Sequence, residues 1–195
     1  DNDGDWDAFI GEKMGSINYF ENIGSSNAPT FVDRSTTTHP FTNVILDVIY
    51  SIPTFVDIDN DGDMDIFVGD KYGMVSYFEN TGDINNPSFT ERTGAANPLQ
   101  IVNLDSYSTL TFADIDDDGD FDVFIGEYYG VIHYFENQGN SNSPNFVAQM
   151  GTNPLNIVDV EHHSAPFLVD IDNDGDLDAF IGEENDDSII HYFEN

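Results

Sequence analysis

Residues 53–70 read PTFVDIDNDGDMDIFVGD, and the same run of residues returns as LTFADIDDDGDFDVFIGE at 110–127 and as PFLVDIDNDGDLDAFIGE at 166–183. Its second half, DNDGDWDAFIGE, occupies residues 1–12. Asp57, Asp114 and Asp170 stand 57 and then 56 residues apart. A fixed period of this size marks an array of structural repeats, each burying its faces on its neighbours. Other landmarks keep the same phase. Tyr-Phe-Glu-Asn ends at Asn22, Asn80, Asn137 and Asn195, and the turn prolines Pro29, Pro87 and Pro144 are each followed two residues later by Phe31, Phe89 and Phe146. Cutting after each Tyr-Phe-Glu-Asn gives repeats at 23–80, 81–137 and 138–195, preceded by the C-terminal part of a repeat at 1–22.

The apolar runs inside a unit are short. Ile52 to Ile58 leads into the acidic stretch, Met64 to Gly69 leaves it, Val75 to Phe78 precedes a turn, and Ser88 to Glu91 follows a proline. Runs of this length, rich in Val, Ile, Phe and Tyr and separated by Gly, Asn, Asp and Pro, read as strands and hairpins. No sustained 3.6-residue period of helix formers competes with them. The expectation is an all-β chain of tandem four-stranded, blade-like units. The stretches after Pro40, Pro98 and Pro154 are the least regular and are expected to carry repeat-specific features.

The acidic stretch carries the chemistry. In Asp57-Ile-Asp59-Asn-Asp61-Gly62-Asp63-Met-Asp65, carboxylates at loop positions 1, 3, 5 and 9 can converge on one cation, with the carbonyl of position 7 completing an oxygen cage. Hard oxygen donors at this spacing select Ca²⁺, while Mg²⁺ prefers to keep more of its water. The same reading assigns Asp114, Asp116, Asp118 and Asp122 with Asp120 at position 7, and Asp170, Asp172, Asp174 and Asp178 with Asp176 at position 7. In the first copy Asp1, Asp3 and Asp7 remain, with Asp5 at position 7, and the position-1 ligand is missing. That gives three complete sites and one incomplete one. Gly62, Gly119 and Gly175 stand where the loop must turn sharply. An EF-hand is disfavoured, because position 12 is Val68, Ile125 or Ile181 in place of Glu and strands replace the flanking helices.

The strand, D-x-D-x-D-G-D-x-D loop and strand, repeated at this period over essentially the whole chain, resembles the FG-GAP or VCBS-type repeat of integrin α-subunit propellers and secreted bacterial surface proteins. The resemblance implies a four-stranded blade, calcium held by the loop aspartates, and a role in adhesion, matrix or surface recognition outside the cell. Propellers of this family usually close with about seven blades, whereas this chain holds three units and a fragment. The expectations left open are a segment of a longer protein, a ring completed by several chains, and an open stack or filament. In an open stack, Tyr19, Tyr77, Tyr134 and Tyr192 would form aromatic columns beside the core phenylalanines Phe20, Phe78, Phe135 and Phe193. The partners expected are other copies or neighbouring repeats, with glycans or surface proteins as ligands.

Charge bounds the rest. The 195 residues carry 38 Asp plus Glu against 4 Lys plus Arg, a formal charge of −34, and no cysteine. Lys13, Arg34, Lys71 and Arg92 are too few and too scattered to displace counterions from a phosphate backbone, so nucleic acid and anionic membranes are excluded as partners. No apolar run approaches the ~18 residues that span a bilayer. Disulfides and thiolate metal sites are excluded by the absent cysteine, and this absence favours a bacterial secreted protein. No G-x-S-x-G, H-E-x-x-H or P-loop occurs, so no enzyme is expected. His133 and His191 read as strand residues and His162 and His163 as surface residues. A lectin-like module, or the accessory propeller of a polysaccharide-active exoenzyme, is the alternative. A lectin would use aromatic and polar residues of the irregular stretches, such as Tyr50, Tyr107 and His163.

Overall fold

The structure is a computed structural model and describes residues 3–36, 39–41, 49–156, 158, 160–184 and 189–195. Among these, fourteen strands and one 3₁₀ turn form four antiparallel sheets. The first sheet holds β1 (Ala8–Gly11), β2 (Ile17–Asn22) and β3 (Phe31–Asp33). The second holds β4 (Ile52–Val56), β5 (Asp65–Gly69), β6 (Val75–Asn80) and β7 (Phe89–Arg92). The third holds β8 (Thr109–Ala113), β9 (Asp122–Gly126), β10 (Ile132–Asn137) and β11 (Phe146–Ala148), and the fourth β12 (Ala165–Val169), β13 (Asp178–Gly182) and β14 (Ile190–Phe193). Each sheet is a meander, with neighbours in sequence paired in space. The chain is all-β and its repeats are blade-like, as the strand pattern implies.

A period can be cut at any phase, and hydrogen bonding selects one. Strand β7 lies beyond Asn80 in sequence yet pairs with β6, with Tyr77 opposite Arg92 and Asn80 opposite Phe89. Each four-stranded sheet therefore runs across a Tyr-Phe-Glu-Asn boundary, starting at the strand before the acidic loop. The loop always joins the first strand of a full blade to the second.

The second strand of each four-stranded blade, β5 or β9, is buried on both faces, which is why it reads as an unbroken apolar run. In β5, Ile66 and Val68 pack toward the first sheet with Ile17, Tyr19 and Phe41, while Phe67 packs toward the third with Leu110, Val123 and Ile125. In β9 the division repeats, with Phe124 facing Ala179 and Ile181 of the fourth sheet. The core is thus a series of layers between sheets. The irregular stretches plug these layers with Phe41, with Leu99 and Val102, and with Leu155 and Val160. Asn97 and Asn153 pin the plugs, donating to the Val75 and Ile132 carbonyls at 2.9 and 2.7 Å.

A buried serine latches each blade to the one before. Ser108 is fully buried; its backbone N–H donates to the Asp70 carbonyl at 3.0 Å, and its Oγ accepts from the Asp70 N–H at 3.0 Å and donates to the Met74 carbonyl at 2.8 Å. Ser51 does the same to Glu12 and Ser16, and Ser164 to Glu127 and Val131. The approach is so close that a Cβ at Gly69 or Gly126 would stand 1.9 or 2.0 Å from the Ser108 or Ser164 carbonyl oxygen. Glycine at the end of the second strand is the space for the latch. The residues before the serines, Tyr50, Tyr107 and His163, all take a left-handed backbone with φ of 57, 51 and 52°, which is unusual for bulky side chains.

The four tyrosines of Tyr-Phe-Glu-Asn stack within their own blades. Tyr19 lies on Phe9, Tyr77 on Phe67 and Tyr134 on Phe124 at centroid distances of 5.0, 4.6 and 4.8 Å, and Tyr192 is tilted on Phe180 at 5.0 Å. Among the described residues the contacts of these tyrosines with phenylalanine rings are the intrablade pairs, and the columns expected of an open stack are not seen.

Candidate metal centre

Each acidic loop folds on its own carboxylates. Asp57 accepts from the Asp61 N–H and the Gly62 N–H at 3.1 Å each, and Asp61 accepts from the Asp63 N–H at 3.1 Å. Asp114 and Asp118 repeat this with Asp118, Gly119 and Asp120 at 3.0 to 3.1 Å, and Asp170, Asp172 and Asp174 with Gly175, Asp174 and Asp176 at 3.2 Å. In the first copy Asp3 accepts from the Asp5 N–H; Asp1 lies outside the described residues. Gly62 has a φ of 97° and nothing within 4 Å of a built Cβ, so its glycine answers to backbone conformation alone.

These turns bring positions 1, 3 and 5 together. Among the described residues three clusters result, Asp57 with Asp59 and Asp61, Asp114 with Asp116 and Asp118, and Asp170 with Asp172 and Asp174, the oxygens of each lying within 4.8 Å of one another. Two unit charges at that separation repel by about 1 kcal/mol in water and by 3–4 kcal/mol at an effective dielectric near 20. Partial burial adds to the cost. Desolvation, and then the charges of Asp61 and Asp57, push the Asp59 carboxyl up, and the same causes raise Asp116. Buried oxygens with no hydrogen-bond donor sit at the centre of the problem: Oδ1 of Asp59 and Asp63, of Asp120, of Asp170 and of Asp5. A buried carboxylate oxygen without a donor is costly, and a hard divalent cation is the partner that this donor set fits.

Position 9 behaves differently. Asp65, Asp122 and Asp178 fall outside the three clusters. Asp65 Oδ1 accepts from the Asn80 N–H at 2.7 Å and Oδ2 from the Tyr77 hydroxyl at 3.1 Å; Asp122 is held by Asn137 and Tyr134 at 2.7 and 2.9 Å. Asp7 takes the equivalent bonds from Asn22 and Tyr19, and Asp178 one from Asn195. Burial raises Asp65 to about 7 and Asp122 to about 6, against the opposing effect of these donors. The structure therefore joins three of the four side chains expected in each loop and uses the fourth to tie the loop to its blade.

The tyrosine and asparagine partners escape a reading of the loop alone, although their fixed phase with it is visible in sequence. Asn80 is a hub: its side-chain oxygen also accepts from the Gly82 and Ser88 N–H groups at 3.1 and 2.9 Å, which shapes the next turn. Asn22 and Asn137 do the same. Adjacent loops also meet. Asn142 donates to the Asp59 carbonyl at 2.9 Å, and a cavity of about 210 Å³ lies between Asp57, Ile58 and Asn60 on one side and Asp114, Asp120 and Phe121 on the other.

A model of the FG-GAP-like repeat matches three times, over residues 1–68, 57–125 and 114–181. The chain belongs to the FG-GAP-like repeat family. Each match runs from one acidic loop through the strand that directly follows the next loop, so the loops just described are its landmarks. Among curated proteins, none matches the chain. As an FG-GAP repeat protein it is a repeat scaffold, and such repeats typically occur in extracellular proteins. No helix among its described residues is long and apolar enough to cross a membrane.

Proposed function

We propose that this FG-GAP array is a non-enzymatic, secreted or cell-surface scaffold of bacterial origin, whose blades are held in order by Ca²⁺ and which serves adhesion or a surface matrix. The observation that carries this reading is the recurrence, in phase, of three aspartate clusters, in loops that each hold a buried carboxylate oxygen with no donor. Loops 57–65, 114–122 and 170–178 supply complete sites, and Asp3, Asp5 and Asp7 the remnant of a fourth. Extracellular modules hold Ca²⁺ with dissociation constants of ~10⁻⁴–10⁻³ M, which keeps such sites filled outside cells and largely empty in cytosol. At a hundredfold excess over its dissociation constant each independent ion adds ~2.7 kcal/mol. Three ions then shift the midpoint of a chain this size by roughly 15–30 °C. The test is a thermal melt in calcium and in chelator; coincident melts overturn the reading.

A neighbouring repeat, from the same or another chain, is the partner that fits the fourth sheet. Ile190 and Tyr192 are 71% and 47% exposed, whereas the equivalent Val75 and Tyr77 are 6% and 5% exposed beneath the next blade. A carbohydrate-binding reading has support of its own from the latch residues. Tyr50, Tyr107, Tyr128 and His163 gather at centroid distances of 4.6 to 6.0 Å, and Lys13 and Lys71 lie 5.7 and 5.8 Å over the Tyr50 ring. Partly exposed rings beside polar groups suit a sugar face. A glycan array separates this reading from a passive scaffold, since binding abolished by Tyr107→Ala supports it and an array without hits removes it.

A further inference from the structure

Four basic residues stand against 38 acids in this chain, and two of the four, Arg34 and Arg92, are engaged in ion pairs. The other two, Lys13 and Lys71, are one repeat apart in sequence and meet in space. Their ammonium groups lie 5.7 and 5.8 Å from the centre of one ring, that of Tyr50. Cation–π attraction acts over this distance. The backbone fixes the arrangement. The Tyr50 N–H donates to the Lys13 carbonyl at 3.1 Å and the Lys71 N–H to the Ile49 carbonyl at 2.9 Å, so the tyrosine is strapped between the turns of two successive blades. Its ring is half-buried, and neither lysine has a carboxylate partner among the described residues. Two cations converge on a ring, in a very acidic chain, with no internal anion between them.

The place is set apart from the acidic loops. Strand β5 begins at Asp65, where its loop ends, and finishes at Gly69, so the turn that bears Lys71 lies at the opposite end of the blade. Its 5 residues, at about 3.3 Å each, put ~17 Å between loop and turn. That is about twice the ~8 Å over which physiological salt screens charge. The carboxylates next to the two lysines are turned inward: Asp70 accepts from the Tyr72 and Met74 N–H groups, and Glu12 from the Ser16 hydroxyl. Asp105 is exposed at the following junction, where its charge bears on Glu127 and His133. The aromatic face continues from Tyr50 to Tyr107 at 5.5 Å and from Tyr107 to Tyr128 at 6.0 Å between centroids. Rings can cover the apolar face of a sugar, and the paired ammonium groups add a demand for negative charge.

We propose that Lys13, Tyr50 and Lys71 form an anion subsite, which makes this aromatic face select glycans bearing a carboxylate or sulfate group over neutral ones. The proposal rests on the carbohydrate reading and names its ligand class. The two ammonium groups take the anionic group, and the rings of Tyr50 and Tyr107 take the sugar that carries it. Two cations match one such group, whereas a phosphate backbone is bound through many, so nucleic acid stays excluded.

A glycan array probed with the full chain in calcium tests it, with uronate oligomers set beside their methyl esters and sulfated oligomers beside their desulfated forms. The wild-type chain is expected to prefer the acidic member of at least one pair by about tenfold, the combined effect of two exposed charge pairs. The pair that shows the preference tells carboxylate from sulfate. Lys13→Gln/Lys71→Gln is expected to lose the preference. A wild-type preference below about threefold in every pair, or one that survives the double glutamine variant, overturns the proposal. If that variant does not fold or binds no glycan, the wild-type preference is read at about 0.05 and 0.5 M salt, where a fall supports the subsite and constancy overturns it. An array without hits removes the carbohydrate reading and this proposal with it, whereas equal binding of acidic and neutral members overturns the proposal alone.

Discussion

Replacing Gly69 by alanine places a methyl group 1.9 Å from the Ser108 carbonyl oxygen and 2.8 Å from its carbon. Both are backbone atoms, and Gly69 itself is held in its sheet opposite Ile52 and Val75. Neither side has a flexible side chain to yield, so the blades must part by more than 1 Å. Parting breaks the latch: Ser108 N–H to the Asp70 carbonyl, Tyr107 N–H to the Lys71 carbonyl, Asp70 N–H to Ser108 Oγ, and Ser108 Oγ to the Met74 carbonyl, at 3.0, 3.1, 3.0 and 2.8 Å. At about 1 kcal/mol net for each hydrogen bond the loss is ~4 kcal/mol, before any uncovering of the core between the sheets. Ser108→Ala keeps the backbone bonds and loses only those of the hydroxyl, which costs ~1–3 kcal/mol. At 2–4 °C per kcal/mol for a chain of this size, Gly69→Ala lowers the midpoint by roughly 8–16 °C and Ser108→Ala by roughly 2–12 °C. Thermal melts at saturating calcium measure both. Because the clash is with a carbonyl, Ser108→Ala does not rescue Gly69→Ala in the double variant. A Gly69→Ala chain within 1 kcal/mol of wild type, or rescue by Ser108→Ala, refutes the latch.

Three other outcomes follow from the site. Asp65 and Asp122 have folded pKa values of about 7 and about 6, above the ordinary carboxylate value, so the ion-free fold binds more protons than the unfolded chain between about pH 4 and 7. Stability without cation therefore falls as pH rises through that window; melts from pH 5 to 8 in chelator should show the fall, Asp65→Asn/Asp122→Asn should flatten it, and a rise would contradict the burial argument. Tyr77→Phe removes the donor to Asp65 Oδ2 and leaves a buried oxygen short of a partner, which should cost about 1–3 kcal/mol in urea titrations. Asn80→Ala releases the Gly82 and Ser88 N–H groups, so hydrogen exchange should quicken over residues 81–88 and stay unchanged over the equivalent turn after Asn137.

Repeat order, strand content and the acidic loops were legible in the sequence because each rests on local chemistry that recurs. A left-handed glycine at position 6 and closely spaced carboxylates fold the loop whatever lies beyond it, as the bonds that Asp57 accepts from the Asp61 and Gly62 N–H groups show. What escaped reading depends on groups distant along the chain. Asp65 resembles Asp61 in sequence, but the Asn80 N–H and the Tyr77 hydroxyl, 15 and 12 residues away, take its oxygens. Ser108 looks like any loop serine, and only its seat against Gly69 of the preceding blade gives it a role. The phase of the blades was equally hidden, since the pairing of β6 with β7 is a nonlocal choice that the period alone does not make.

The division of labour among the aspartates shows how the cation proposed for an exposed loop would govern a whole blade. Positions 1, 3 and 5 are solvent-facing enough to exchange a cation, yet their loop ends in Asp65, which is 2% exposed and gripped by two groups of strand β6. Loss of the ion does not merely expose a flexible turn. It would leave three crowded charges four to eight residues before a buried carboxylate that already resists ionisation, and strain there would reach Tyr77, its stacked partner Phe67 and the layer shared with the next blade. Twenty of the 38 acids lie in the loop copies, and three divalent ions bring six positive charges against a net −34. The remaining excess is screened mainly by solvent, since two of the four basic residues are committed to the in-phase pairs Arg34–Glu21 and Arg92–Glu79. On the calcium reading proposed above, the ion would therefore not be a general neutraliser of this chain. Its effect would be local to the loop, and the position-9 aspartate, fixed by Tyr and Asn of the third strand, is the element that would carry that local effect into the order of the blades.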